Sequence, residues 1–156
     1  MEQILEEQPT IDQLLAAELA RCLRGVHETQ WEGIILTADS DRLQAAASLM
    51  VDDSAYPLLQ QLAALHHSQP GDAMALRRAI NDWNFATIIR CRICMKSLDF
   101  AQEEVARCNS VQVLHFAMQQ MLHEGHIRGL RDESSYRALT ERVTTLLSNP
   151  PAETQQ

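Results

Sequence analysis

Apolar residues recur every three or four positions along most of the chain, which is the spacing of one face of an α-helix. The first such segment opens at Thr10, a helix-capping residue type with Gln13 three positions later, and it ends at Gly25. Its apolar positions are Ile11, Leu14, Leu15, Leu19 and Leu23. We predict a helix between Thr10 and Gly25 whose apolar stripe packs against another part of the protein.

Residues 31–72 predict shorter helical pieces. The run Ile34 to Thr37 has strand-like composition, but no partner strand is apparent, so we interpret it as a loop or helical turn. Asp39 is the expected cap of a short helix, followed by a connection over 51–54 and a third helix that stops near Pro70. The residues expected to be buried in these two helices are Leu43, Ala46, Ala47, Met50, Leu58, Leu59, Leu62 and Leu65.

The second half of the chain predicts one long helix and three shorter ones. Asp72 is a cap, and the next 25 residues contain neither Gly nor Pro, so the long helix extends to about Lys96. Asp99 is expected to cap a short helix that ends at about Cys108. Ser110 is expected to cap a helix over 111–123, which ends before Gly125. A last helix covers about 133–147. The predicted inward positions are Leu76, Ile80, Trp83, Phe85, Ile88, Ile89, Ile93, Val111, Leu114, Met118, Met121, Leu122, Tyr136, Leu139, Val143, Leu146 and Leu147.

These segments predict an all-α fold, a single-domain orthogonal helical bundle of about six or seven helices with one long central helix (about 73–96). We expect residues 1–148 to form one helical domain and 149–156 a flexible tail. A chain of 156 residues can bury enough surface to fold without disulfides. No apolar run approaches the roughly 20 residues that a membrane helix needs. The acidic N-terminal sequence does not resemble an export signal, so we expect a cytoplasmic protein.

The charges are distributed unevenly. Residues 1–72 contain twelve acidic residues and three arginines, whereas residues 73–156 contain ten basic and nine acidic residues. The first part should therefore repel nucleic acid, and any anion-binding surface should lie in the second part.

Cysteine and histidine residues raise the question of a zinc site. Cys91 and Cys94 are three residues apart, but they fall within the predicted long helix rather than on a tight turn. The other potential ligands are Cys108, His115, His123 and His126. We favour buried structural cysteines and expect no metal and no cofactor, while the sequence leaves zinc binding by this set open.

Motifs for phosphate loops, dinucleotide binding, zinc proteases and serine hydrolases are absent from the sequence, so we do not expect an enzyme. We expect a protein-interaction module, such as an adaptor, a chaperone or a regulatory subunit, that binds a partner protein with a basic surface. The candidate partner-binding residues are Glu6, Glu7, Asp12, Glu18, Met118 and Met121. Homodimerisation through the long helix over 73–96 is a further hypothesis, because its apolar girth is wide.

An alternative comes from residues 98–129. A short helix over 100–107, a break at 108–110, a longer helix over 111–123 and the segment 124–127 resemble the helix-turn-helix and first wing residue of winged-helix regulators. The resemblance implies a DNA-binding transcriptional regulator whose second helix lies in the major groove. It would put Gln112, Val113, His115 and Phe116 near bases, Leu114, Met118 and Met121 in the core, and Arg92, Lys96, Arg107, Arg128 and Arg131 near phosphates. The helix has no cationic residue between Val111 and Met121, so this function is our alternative.

Overall fold

A computed structural model describes residues 8–95, 98–123 and 129–149 of the chain. These residues form eight α-helices and one 3-10 turn, and they contain no β-strand. The predicted all-α class is therefore confirmed. The helices are α1 (Ile11–Arg24), α2 (Trp31–Leu36), α3 (Ser40–Ser48), α4 (Tyr56–Ser68), α5 (Ala73–Met95), α6 (Leu98–Arg107), α7 (Val111–His123) and α8 (Gly129–Ser148), with the 3-10 turn at Glu28–Gln30 before α2.

The contacts divide the chain into two compact units. The first unit ends at Ile80 and the second begins at Asn81, so the division falls within α5. The predicted long helix over 73–96 is confirmed, since α5 ends at Met95. Folding of both units as a single domain stays a prediction.

Side-chain caps start several helices where the sequence predicts them. Thr10 forms a capping box in which its hydroxyl accepts from the Gln13 amide at 3.1 Å and the Gln13 side chain accepts from the Thr10 amide at 2.8 Å. Asp39, Asp72 and Ser110 accept hydrogen bonds from backbone amides three residues later, which confirms these three caps. The prediction for Asp99 is wrong, because α6 begins at Leu98 and places this residue inside its first turn. The last helix also begins earlier than predicted, at Gly129 rather than about residue 133.

The first unit is built on contacts of α1 with α3, and of α2 and α3 with α4. The segment expected to be a loop or helical turn is α2, and its Trp31 donates its indole N–H to the Leu23 carbonyl at 2.9 Å. Arg24 donates to the Leu49 carbonyl at 2.7 Å, which joins the end of α1 to the end of α3. Both bonds satisfy carbonyl groups at helix ends that have no partner within their own helix.

In the second unit α8 packs against α6 and α7, and α5 contributes an aromatic contact to α7. The rings of Trp83 and Phe116 meet edge to face, with centroids 5.1 Å apart and planes at 77°. The buried Gln120 side chain accepts from Arg90 at 2.9 Å and donates to the Thr87 hydroxyl at 3.0 Å. This polar network is satisfied, so its burial carries little desolvation penalty.

Four predicted core positions of the second unit are wrong, because their side chains are exposed. These positions are Phe85, Ile88, Leu122 and Leu147. On α5 the buried side chains Trp83, Ala86 and Ile89 share one face, and Phe85 and Ile88 lie outside it. Each of the four residues follows helical spacing, but spacing alone does not identify which face of a helix meets the core. Ile93 lies outside the side chains that the structure describes.

Candidate docking surface on the first unit

Helix α1 buries two alanines and Leu23, and it leaves several of its other large apolar side chains exposed. Ala16, Ala20 and Leu23 are buried, and the neighbouring α3 also presents small buried residues, Ala46 and Ala47. Alanines on both helices allow a short distance between helix axes, which brings the two backbones together. The sequence interpretation assigned the core contact to the leucine stripe, but only Leu23 of that stripe is fully buried.

Beside its buried face α1 has an apolar surface, which we call the outer stripe and define as Ile11, Leu14, Leu15, Leu19 and Cys22. Ile11 is 74% exposed, Leu14 is 55% exposed and Leu15 is 39% exposed. Ile11, Leu15, Leu19 and Cys22 follow each other at four- and three-residue steps, so they lie on one line along the helix. The outer stripe thus extends over about three turns of α1.

The outer stripe runs into a recess beside the second helix, which we call the α1–α2 groove. Its volume is about 790 Å³. Its lining consists of Leu19, Arg21, Cys22, Gly25, Val26, Gln30, Gly33, Ile34, Thr37, Ala38 and Arg42. A Cβ atom built on Gly33 would have no heavy atom within 4 Å, so the missing side chain opens space on the groove wall. Gly33 has an ordinary negative φ angle, so the backbone of α2 does not require glycine.

Charged side chains lie near the start of the outer stripe and near the α1–α2 groove. Near the start of α1, a small cavity of about 230 Å³ is lined by Asp12, Asp39, Asp41, Arg42 and Ala45. Near the groove, Arg21 forms an ion pair with Glu18, and its hydrogen bond holds the pKa of Glu18 below the ordinary value. The start of the stripe therefore lies near three carboxylates and Arg42, and Arg42 also lines the groove together with Arg21.

The structure separates the predicted partner-binding residues. Asp12 and Glu18 are exposed on α1, while Glu6 and Glu7 lie outside the described residues. Met118 is half-buried, and Met121 is fully buried in the second unit. The side chain of the candidate Met121 is therefore not accessible to a partner in this structure.

The helix-turn-helix order is present in the second unit, but two of its expected base-reading residues are buried. Helices α6 and α7 flank a short break at 108–110, as the winged-helix resemblance implies. Val113 and Phe116 lie in the core, so they cannot approach bases. Gln112 is half-buried and His115 is exposed. Helix α7 has no lysine or arginine, whereas DNA contacts favour such cationic side chains.

Two of the predicted phosphate contacts have acidic neighbours. Arg92 forms an ion pair with Glu104 at 3.0 Å, and Arg107 lies 4.0 Å from Glu103. Lys96 and Arg128 lie outside the described residues, and the side chain of Arg131 is not among those described. Carboxylates beside Arg92 and Arg107 reduce the positive potential that these residues would present to DNA.

Hydrogen bonds from α8 hold the break between α6 and α7 in place. Arg142 of α8 donates to the Cys108 carbonyl at 3.0 Å and to the Asn109 side chain at 2.8 Å. Cys108 is buried, and this burial raises the pKa of its thiol. The turn therefore has a structural anchor on α8, and Cys108 is a small apolar residue there rather than a reactive thiol.

The described residues contain no group of three or more His, Cys, Asp or Glu side chains that could hold a metal ion. Cys91, His115 and His123 are exposed. The side chains of Cys94 and His126 fall outside the description. The described members of the predicted set therefore do not form a zinc site.

The groove and the outward direction of the outer stripe were missed by sequence reasoning. One signal was present: the pairs Ala16–Ala20 and Ala46–Ala47 mark a close contact between two helices. No family model, curated protein or solved structure matches this chain. Within residues 8–95, 98–123 and 129–149, no helix has the length and apolar character needed to cross a membrane.

Proposed function

We propose that this protein is a non-enzymatic protein-interaction module that binds a protein partner through the outer stripe and the α1–α2 groove. The observation that carries the proposal is the reversed arrangement of α1, which buries Ala16 and Ala20 while Ile11 and Leu14 face solvent. An exposed large apolar side chain gives up about 1.5–3 kcal/mol of burial free energy, which a partner can recover. A contiguous exposed apolar surface beside a groove is typical of binding sites.

Adaptor, chaperone and regulatory subunit are the roles that fit such a module. A cytoplasmic location is part of this proposal, and free thiols at Cys22, Cys91 and Cys108 are compatible with a reducing compartment. The proposal does not need chemistry at the site, because the lining of the groove is mainly apolar.

A photo-crosslinking residue placed at position 14 of the full chain, expressed in its own cells, tests this proposal. The matched control is the same residue at position 49, since Leu14 is 55% exposed and Leu49 is 50% exposed on the same unit. We expect a covalent protein adduct from position 14 that is absent from position 49 and is lost when Gly33→Leu fills the groove. Equal labelling at both positions, or an adduct only with the chain's own N-terminal residues, would contradict the proposal.

Winged-helix DNA binding is the second candidate, and the order of α6 and α7 is the observation in its favour. It predicts binding to duplex DNA that weakens steeply with salt, with a smaller salt slope in Arg107→Ala. The Arg137→Ala variant is the control, since Arg137 is exposed on α8. Absence of salt-dependent binding would reject this candidate.

A further inference from the structure

We infer that Asn109, in the break between α6 and α7, is the site at which this chain deamidates spontaneously, and that Arg142 of α8 sets the rate of this modification. The site lies in the second unit, so it goes beyond the proposed function and does not depend on the outer stripe or the α1–α2 groove. Three features carry the inference: the position of Asn109 between two helices, the backbone amide of Ser110 and two hydrogen bonds of Arg142.

Deamidation of an asparagine is an intramolecular reaction with the residue that follows it. In mild base the backbone nitrogen of the next residue loses its proton and attacks the side-chain carbon Cγ. The bond from Cγ to the side-chain nitrogen then breaks, ammonia leaves with a proton from water, and a five-membered succinimide ring remains. Water opens this ring to aspartate or to isoaspartate, in which the main chain runs through the side chain. The net reaction consumes one water and releases one ammonia, and it needs no oxidant or cofactor.

The four asparagines of the chain have different surroundings. Asn81 and Asn84 lie inside α5, where the backbone amide of the next residue is bonded to the carbonyl four residues earlier. Asn149 precedes a proline, whose nitrogen has no hydrogen to lose. Asn109 is exposed, lies between two helices and is followed by a small residue with a backbone N–H. It is therefore the asparagine best placed to cyclise.

The backbone amide of Ser110 takes no part in the helix that this residue caps. Ser110 accepts a hydrogen bond from the Val113 amide at 3.2 Å through its hydroxyl, and one from the Leu114 amide at 3.1 Å through its carbonyl. Its own N–H is one of the four amides at a helix start that have no partner within that helix. The attacking nitrogen can therefore lose its proton without breaking a bond of α7.

Arg142 restrains the reacting groups from α8. Its Nη2 atom donates to the side-chain oxygen of Asn109 at 2.8 Å, and its Nε atom donates to the Cys108 carbonyl at 3.0 Å. The first bond fixes the side-chain amide, and the second fixes the main chain just before it. Cyclisation rotates both groups to bring Cγ to the Ser110 nitrogen, so it proceeds from conformations in which these bonds are open. The strength of this anchor therefore controls how fast Asn109 is converted.

The two products of the reaction have opposite effects on the break between α6 and α7. In the aspartate product a carboxylate replaces the amide that accepts from Arg142, so a charge-assisted hydrogen bond replaces a weaker one. In the isoaspartate product the main chain between Cys108 and Ser110 gains one carbon atom, which shifts the acceptors of Arg142 away from their donors. Aspartate therefore retains the anchor, and isoaspartate breaks it.

Ageing of the purified full-length chain in mildly alkaline buffer tests the position of the site. Peptide mapping by mass spectrometry detects the gain of about 1 Da that accompanies replacement of the side-chain NH2 by OH. We expect this gain at Asn109 before it occurs at Asn81 or Asn84, and in water labelled with oxygen-18 the product should carry the label. Conversion at Asn81 or Asn84 that is as fast as at Asn109 would overturn the inference.

Variants of Arg142 test its control of the rate. In Arg142→Ala we expect deamidation at Asn109 to be about fivefold faster, because the loss of both bonds raises the population of the open break. Arg142→Lys retains a donor and should be intermediate, while Arg137→Ala, on the exposed side of α8, should match wild type. In concentrated urea all four chains should react at one rate, faster than folded wild type. Equal rates in the folded wild type, Arg142→Ala and Arg142→Lys would overturn the control by Arg142.

Discussion

Helix α1 of the first unit and helix α7 of the second use their apolar residues in opposite ways. Helix α7 buries Leu114, Phe116 and Met121, whereas α1 buries Ala16 and Ala20 and turns larger side chains outward. Packing alone explains α7, because its large residues fill the core. Packing does not explain the exposed residues of α1, which is why we propose a binding function for the outer stripe.

The strongest test of this comparison removes a large side chain from the core of the second unit. Phe116→Ala should lower the free energy of unfolding by about 3–5 kcal/mol, because it leaves a cavity and removes the edge-to-face contact with Trp83. Phe85→Ala is the matched control, and its effect should stay within about 0.5 kcal/mol since that ring is exposed. Urea denaturation measures both. Similar losses in the two variants would show that the buried faces of α5 and α7 are wrongly assigned.

The second prediction concerns the alanine face of α1. Ala20→Leu should destabilise the protein by about 1–3 kcal/mol, because Ala20 is buried where α1 packs against α3 and a larger side chain does not fit. Ala17→Leu on the exposed side of the same helix should change stability little. Thermal and urea unfolding compare the two. If Ala20→Leu were neutral and Ala17→Leu harmful, the orientation of α1 would be reversed.

The third prediction concerns the anchor between α8 and the turn over 108–110. Arg142→Ala should cost about 1 kcal/mol, because it leaves the Cys108 carbonyl and the Asn109 side chain without their donor. Amide hydrogen exchange in the turn should become faster, while Arg137→Ala leaves it unchanged. Unaltered exchange in Arg142→Ala would show that Arg142 does not stabilise the turn.

The smallest expected effect distinguishes two glycines of the first unit. Gly33→Ala should raise the free energy of unfolding by about 0.5–1 kcal/mol, since it restores helix propensity to α2 and meets no neighbouring atom. Gly71→Ala should lower stability by about 1 kcal/mol, because Gly71 has a φ of 79°, a conformation that side chains disfavour. A loss of stability in Gly33→Ala would mean that the fold itself requires this glycine.

Much of the fold follows from local sequence signals. Thr10, Asp39, Asp72 and Ser110 cap helices because their side chains bond to amides three residues away, and such short-range chemistry is visible in sequence. Local signals did not predict which side of α1 contacts the core. Its leucines and its alanines both follow helical spacing, and only the position of α3 decides which set is buried.

The candidate site was predicted only in part. An interaction surface on the acidic first helix was expected, and Asp12 and Glu18 do lie exposed there. The groove depends on three segments, α1, α2 and the turn before α3, that are brought together by folding. Gly33 looks like a poor helix residue in sequence, and its effect on the groove is visible only when the neighbouring atoms are known.

The most direct test of the account is the effect of Ile11→Asp on folding and on partner capture, measured by urea denaturation and by photo-crosslinking from position 14 of the full-length chain. We predict that the free energy of unfolding stays within about 0.5 kcal/mol of wild type, because Ile11 is 74% exposed, while the protein adduct is lost. Leu23→Asp, at a fully buried position of the same helix, should unfold the protein. If Ile11→Asp unfolds the protein as Leu23→Asp does, the outer stripe belongs to the core and the account is contradicted.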